Sequence, residues 1–344
     1  VERWNLGASG YYEITGGLEA YADTSYMNNK TVAQIAESAS FNRPFETNCD
    51  NPLLQSGRGP NGAGAVSFAD FTGNFDADDN FVSCNDILAG GGTADVQFIN
   101  SHRNVEGGPR ISTYENSTWR AVTGLRGDIT DSFTMDVFAQ FSGTKGTRIS
   151  QRDLNFKRVQ QALFAVDDGA GNAVCRDTSG GCVPWNIFER NADGSTAITS
   201  AQTDFIQGTG IVTGETEQLV LGGTVEGDLT SYGLQSPYAD AGISGLVGFE
   251  TRTDKLSRLA DDISKISGGR GLTGTGGATL PIAGKIEVDE IFMEVSIPVI
   301  SGMPMAEELG ISAGYRYSDY TTNGNGISNT FDADTWFVGA SWSP

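Results

Sequence analysis

Residues 309–318 read Leu309-Gly310-Ile311-Ser312-Ala313-Gly314-Tyr315-Arg316-Tyr317-Ser318, and their character alternates at every position. The odd positions are apolar or aromatic, whereas the even positions are small or polar. Successive side chains of a β-strand point to opposite faces, so this period of two predicts a strand with one apolar and one polar face.

The same alternation recurs along the chain and predicts about nine strands of roughly ten residues, a length that spans a bilayer in a tilted β-strand. The first two runs flank Thr15-Gly16-Gly17 and read as a hairpin. The nine runs are residues 3–12, 18–26, 117–127, 133–142, 217–227, 241–253, 285–297, 308–319 and 331–342.

The connections between these runs alternate in length. Short turns are predicted at 13–17, 128–132, 228–238 and 298–307. Long polar segments occupy 28–115, 145–216 and 254–284. Loops this long are uncommon in a compact soluble domain, but outer-membrane barrels combine short periplasmic turns with long extracellular loops. The pattern therefore favours an antiparallel up-and-down transmembrane β-barrel.

Aromatic residues lie near the predicted strand ends, where they suit the two membrane–water interfaces. Aromatic residues also favour strands of any kind, so the interface interpretation depends on the apolar face as a whole. The residues concerned are Trp4, Tyr12, Tyr26, Trp119, Phe141, Tyr315, Tyr317 and Trp342.

Composition excludes several classes of protein. The formal net charge of −21 argues against nucleic-acid binding, which needs Lys and Arg opposite phosphates. The sequence has no apolar run of 18 residues, which argues against membrane-spanning helices. A segment at 31–39 is predicted to form a small loop helix.

Four cysteines lie in polar stretches at Cys49, Cys84, Cys175 and Cys182. An even number in such loops indicates two disulfides and an oxidising compartment. Three pairings are possible, and Cys49–Cys84 with Cys175–Cys182 closes the shortest loops.

No set of residues predicts an enzyme, a cofactor site or a metal site. His102 is the only histidine, and a catalytic triad or zinc cluster needs partners for it. The acidic stretch Asp76–Asn80 fails the EF-hand pattern at its sixth and twelfth positions, and the Gly-rich stretches 268–271 and 274–277 lack a phosphate-loop context.

Four sequence segments, in this order along the chain, resemble segments of TonB-dependent outer-membrane receptors. They are Asn29–Leu54 with Asn48-Cys49-Asp50-Asn51-Pro52-Leu53-Leu54, then Arg103-Asn104-Val105-Glu106-Gly107-Gly108, Val183-Pro184-Trp185-Asn186-Ile187-Phe188 and Gly314-Tyr315-Arg316-Tyr317-Ser318-Asp319-Tyr320. The resemblance covers most of the chain, and its specificity lies in the shared order.

This resemblance implies a 22-stranded barrel of the Gram-negative outer membrane, an N-terminal plug domain and extracellular long loops. It implies energy-coupled uptake of a scarce bulky ligand, such as a siderophore-type metal chelate, cobalamin or an oligosaccharide. The implied partners are outer-membrane lipid and lipopolysaccharide, the TonB energy-coupling complex and the ligand itself. Ligand-contact residues are not assigned.

The chain opens directly in a predicted strand and has about nine strands, so residues 1–344 are expected to be a central barrel segment without plug or barrel C-terminus. Two other functions are compatible with the sequence: a plugless, passive porin-like channel and a secreted or self-assembling β-structural surface protein. An enzyme is not expected.

Overall fold

A computed structural model describes residues 1–55, 84–266, 270–274 and 277–344 of the chain. A single antiparallel sheet of nine strands dominates it, with the order β1-β2-β5-β6-β9-β10-β11-β12-β13. In chain order the elements are β1 (Glu2–Thr15), β2 (Leu18–Glu37), β3 (Ala39–Asn48), α1 (Pro52–Gln55), α2 (Cys84–Ala89), β4 (Asp95–Arg103), β5 (Pro109–Thr130), β6 (Phe133–Leu154), α3 (Phe156–Leu163), β7 (Ala165–Asp167), β8 (Ala173–Cys175), α4 (Ser200–Ile206), β9 (Gln207–Asp228), β10 (Ser244–Ala260), β11 (Ile282–Met303), β12 (Ala306–Gly324) and β13 (Ile327–Ser343).

The all-β, up-and-down antiparallel arrangement and the nine predicted strands are confirmed, since each predicted run falls in a different strand of this sheet. In the described part of the chain the sheet is open. Strands β1 and β13 form its two edges and do not pair with each other.

The two ends of the sheet differ in their connections. At one end, here the turn end, β1–β2, β5–β6 and β11–β12 are joined by tight turns, and β9–β10 by residues 229–243. At the opposite loop end, residues 38–108, 155–206 and 261–281 separate consecutive strands. The last connection at the loop end departs from this alternation, because Asn325 and Gly326 make a tight hairpin with φ values of 51° and 79°. Asn-Gly favours such a turn, since both residues tolerate the left-handed region.

One face of the sheet, the apolar face, carries the apolar residues of the alternating runs. All eight aromatic residues singled out from the sequence lie on it, and the register pairs Tyr26 with Trp119 and Leu309 with Trp342. Aliphatic side chains of this face are exposed as well, Ile291 to 62% and Val338 to 69%. We call the central zone of this face the apolar belt; its members include Trp119, Ala121, Leu125, Val137, Ala139, Phe141, Leu219, Leu221, Val247, Phe249, Ile291, Met293, Val295, Leu309, Ile311, Ala313, Tyr315, Tyr317, Trp336, Val338, Ala340 and Trp342.

The belt ends abruptly toward the loop end. On the same face, the next residue along β9 after Leu219 is Glu217, and on β12 the residue after Tyr317 is Asp319. Lys145 and Glu215 are register partners in this charged zone. The strands therefore continue well beyond the belt, which is why they are 14 to 22 residues long and not ten.

The hydrophobic core of the protein lies in the loops and not beneath the sheet. Residues 38–55, 84–108 and 155–206 pack together at the loop end, and we call them the loop subdomain. Its core consists of Phe45, Leu54, Phe98, Leu154, Val159, Ala162, Leu163, Trp185, Phe188, Phe205 and Ile206, with Leu154 contributed by the end of β6.

The predicted helix at 31–39 is wrong. Residues 31–37 continue β2 and pair with β5, for example Thr31 with Tyr114 and Ile35 with Arg110. Backbone pairing along this edge outweighs the weak helical preference of an Ala-containing segment. The acidic stretch Asp76–Asn80 lies outside the described residues, as do residues 267–269 and 275–276 of the Gly-rich stretches.

Within the described ranges, no helix is both long enough and apolar enough to cross a membrane.

Candidate functional site

The second face of the sheet, the polar face, carries a ladder of hydrogen bonds across four neighbouring strands. Arg120 Nε of β5 donates to Gln140 Oε1 of β6 at 2.8 Å. Gln140 Nε2 donates to Gln218 Oε1 of β9 at 2.9 Å, and Gln218 Nε2 donates to Asp254 Oδ1 of β10 at 2.8 Å. Each long side chain is thus held by its neighbours, so the face presents a fixed polar surface.

Other polar groups on this face are also paired. Arg126 bridges Glu19 through Nη2 at 2.6 Å, and Tyr21 Oη donates to Asp136 Oδ1 at 2.8 Å. Farther along the sheet, Ser318 Oγ donates to Glu290 Oε1 at 2.6 Å. Over the length of the apolar belt the two faces therefore differ in chemistry: one presents hydrogen-bonded polar groups, and the other exposes hydrocarbon.

A cavity of about 870 Å³ lies against the polar face. Its walls include the ladder residues Arg120 and Asp254 and also Thr322 and Asn329 from β12 and β13. In a flat sheet β5 and β13 would stand about 29 Å apart, at roughly 4.8 Å per strand. Because one cavity touches both, the sheet curls around its polar face, which is concave.

Volumes of this order suit a bulky ligand, since small-molecule sites occupy about 300–1,000 Å³. The walls supply amides, a hydroxyl and charges of both signs from Gln140, Gln218, Thr118, Arg120 and Asp254. Sequence patterning identifies these residues as polar, but their assembly depends on the register between six pairs of strands, which the sequence does not reveal.

The loop subdomain lies at the loop end of the sheet, and both disulfides cross-link it. Cys49 binds Cys84 and Cys175 binds Cys182, which is the shortest-loop pairing of the three that the sequence allows. Among the described residues no cysteine is free.

Residues from segments far apart in the sequence meet inside this subdomain. Asn51 Nδ2 donates to the Leu163 carbonyl of α3 at 3.0 Å, and Thr47 Oγ1 donates to the same carbonyl at 2.7 Å. Trp185 is fully buried, and its ring meets the His102 ring edge-on at 5.2 Å. These contacts hold the segments of the subdomain together.

Among the titratable groups of the subdomain, His102 and Asp50 have shifted pKa values. Burial lowers the pKa of His102, although Glu106, with its carboxylate oxygen 3.5 Å from Nε2, opposes this. Burial alone would raise the pKa of Asp50, but hydrogen bonds from Asn48 and Thr93 outweigh it and hold the pKa below its usual range. Asp50 thus stays ionised, while His102 favours the neutral form.

Metal binding finds no support in the described ranges, since no group of three or more His, Cys, Asp or Glu side chains is placed to hold an ion. Comparison with known proteins yields no matching protein-family model and no matching curated protein.

Proposed function

We propose that this chain forms part of the wall of an outer-membrane β-barrel receptor that takes up a bulky ligand by energy-coupled transport. The ligand classes are those of the TonB-dependent receptors: a siderophore-type metal chelate, cobalamin or an oligosaccharide. In this proposal the apolar belt faces lipid, the polar face lines the lumen and the loop subdomain is extracellular.

The observation that carries the proposal is the slant of the belt. The hydrogen-bonded row that starts at Trp119 on β5 reaches β12 at Asn323, five strands away. The edge of the belt on β12 is instead at Tyr317, six residues nearer the turn end. The belt edge therefore moves about 20 Å along the strand direction while it crosses five strand spacings, a width of about 24 Å. This ratio corresponds to a strand tilt of roughly 40° from the perpendicular to the belt edge. Outer-membrane barrels tilt their strands by about 35–45°.

The height of the belt supports the same placement. On β12 it extends from Leu309 to Tyr317, about 27 Å along the strand and about 20 Å along the membrane normal at that tilt. Apolar bands of transmembrane barrels are about 25 Å tall. Ile291 is 62% exposed, and within the described ranges no layer packs on the apolar face, so this face needs such a covering.

Tryptophan quenching tests this placement. A variant that keeps only Trp336, on the apolar face, is compared in vesicles with one that keeps only Trp185, inside the loop subdomain. Lipids with brominated acyl chains should quench Trp336 strongly and leave Trp185 nearly unchanged. Quenching of Trp336 by aqueous iodide, with no response to the brominated lipids, would contradict the proposal.

Assembly between chains is a second candidate function, and the two open edges favour it. In the part of the chain that the structure describes, β1 and β13 each leave one side unpaired, and an unpaired edge is a template for another strand. Sedimentation in detergent-free buffer separates the candidates: a folded oligomer without detergent supports assembly, and a requirement for detergent supports the membrane. Steady ionic conductance of the vesicles would instead indicate a passive channel.

A further inference from the structure

A second cavity, here the rim cavity, lies where strands of the sheet pass into the loop subdomain. Its volume is about 630 Å³, and none of its residues lines the cavity of the polar face. Gln151, one of its residues, follows Phe141 of the belt by about 30 Å along β6, so the rim cavity stands in water. It is lined by Ile111, Gln151, Arg152, Asn155, Arg158, Asp204, Gln207, Gly208, Thr209 and Ile263.

Arg152 occupies a special position in this cavity. The register between β6 and β9 shifts between Ser150 and Asp153, and Arg152 in this bulge has φ 63°. A non-glycine residue is disfavoured there and persists only where the surroundings impose it. Its guanidinium lies over Gly108, where a Cβ would come within 3.3 Å of Nη1. Within the described part of the chain this guanidinium has no hydrogen-bond or ion-pair partner, so its donors are available to a ligand.

Neighbouring polar groups are held in place by hydrogen bonds to backbone carbonyls. Arg158 Nη1 donates to the carbonyls of Phe205 at 3.3 Å and Gln207 at 3.1 Å. Gln207 Nε2 donates to the Gly107 carbonyl at 2.8 Å. Fixed donors of this kind lose little freedom when a ligand binds.

The charge of the rim cavity differs from that of the chain. The whole chain carries −21, whereas the lining holds two arginines against one acid, Asp204. A guanidinium donates two parallel hydrogen bonds to a carboxylate or phosphate. The amides of Gln151, Asn155 and Gln207 match hydroxyl groups, and Ile111 and Ile263 offer apolar surface to the C–H face of a sugar ring.

We propose that the rim cavity binds an acidic saccharide, a sugar that carries a carboxylate or phosphate group. A free oligosaccharide and a glycan attached to a membrane lipid present the same chemistry. The site goes beyond the proposed uptake function, because it is separate from the cavity of the polar face and its test measures binding without transport.

Calorimetric titration of the full chain in detergent micelles tests the site with three probes. These are trigalacturonate, the neutral galactose trisaccharide of equal length, and rough lipopolysaccharide as the lipid-linked source. Arg152→Asn removes the guanidinium and suits the left-handed backbone, so the fold is preserved. The matched control is Arg148→Asn on the same strand, whose guanidinium stacks over Tyr114 at 5.8 Å outside the cavity.

The expected result is tighter binding of trigalacturonate or of rough lipopolysaccharide than of the neutral sugar. Arg152→Asn should weaken it about tenfold, the value of one charge-assisted pair, and Arg148→Asn by less than about twofold. Asp204→Asn removes the opposing charge and should raise the preference for the acidic probe over the neutral one. If only trigalacturonate or only rough lipopolysaccharide binds, and Arg152→Asn weakens that binding, the bound probe identifies the source of the saccharide. Equal affinity for acidic and neutral sugars, binding of none of the probes, or equal losses in the two arginine variants would overturn the proposal.

Discussion

A charge placed in the middle of the apolar belt distinguishes a lipid-facing sheet from a water-facing one. Ala313 lies midway between Leu309 and Tyr317 on β12, and its register partners on the two neighbouring strands are Val295 and Val338. If the belt is about 20 Å tall along the normal, Ala313 is about 10 Å from either interface. An arginine there is too deep to reach water without distorting the bilayer. Ala313→Arg should therefore lower the free energy of unfolding in vesicles by about 2–4 kcal/mol.

Two controls come from the same strand. Ser312→Arg places the same side chain on the polar face, and Thr321→Arg places it on the apolar face beyond the belt. Each should change the free energy of unfolding by about 1 kcal/mol or less. The measurement is urea unfolding of vesicle-inserted protein, followed by tryptophan fluorescence. An Ala313→Arg variant as stable as the Thr321→Arg variant would refute the assignment of the belt to lipid.

Three further predictions concern the loop subdomain. Trp185→Ala empties a fully buried site and should lower the stability of the loop subdomain by about 3–5 kcal/mol, measured by proteolysis of the loops. Strand content, measured by circular dichroism, should stay constant. Loss of the subdomain and of the strands together would contradict the separation of the loop core from the sheet. Replacing Cys49 and Cys84 by serine removes a disulfide that spans 35 residues and should lower the free energy of unfolding by about 4 kcal/mol. The same change at Cys175 and Cys182, which are 7 residues apart, should lower it by about 2 kcal/mol. If thermal denaturation shows the larger loss for the shorter loop, the loop-entropy argument is rejected. Burial depresses the pKa of His102 in the folded state, so its contribution to stability is complete above the unfolded value near 6.5 and is lost as the pH falls through the lower folded pKa. Subdomain stability should therefore decrease as the pH drops below about 6.5 in the native chain, and decrease less in His102→Gln. Equal pH profiles would show that His102 is not the titrating group.

The sequence locates the strands of the sheet because apolar and polar residues alternate every two residues over many positions. The run at Leu309–Ser318 is typical: each apolar residue there has its predicted face in the structure. The helix predicted at 31–39 fails because local propensity is weak, whereas β2 pairs with β5 without interruption from Leu18 to Ile35.

Strand ends and sites are harder to predict, for a different physical reason. Beyond the belt both faces are polar, so residues such as Lys145 and Glu215 lose the alternation although pairing continues. Besides the cysteines, the loop subdomain offers the signal of a capping box, with Thr199 as the N-cap of α4 and Gln202 three residues later. The ladder from Arg120 to Asp254 and the bulge at Arg152 depend on contacts between distant segments, and no short-range pattern encodes them.

The placement of the hydrophobic core in the loops has a calorimetric consequence. The heat capacity of unfolding grows with the apolar area that passes from a dry interior into water. Here the fully dry side chains, with Trp185, Leu163 and Ile206 among the largest, belong mostly to the loop subdomain. The increment in heat capacity should therefore match a domain of the subdomain's size and fall well short of that for 344 residues at about 12–15 cal/mol/K each. In differential scanning calorimetry the protein would therefore resemble a small globular domain, because the sheet adds little to the heat capacity of unfolding.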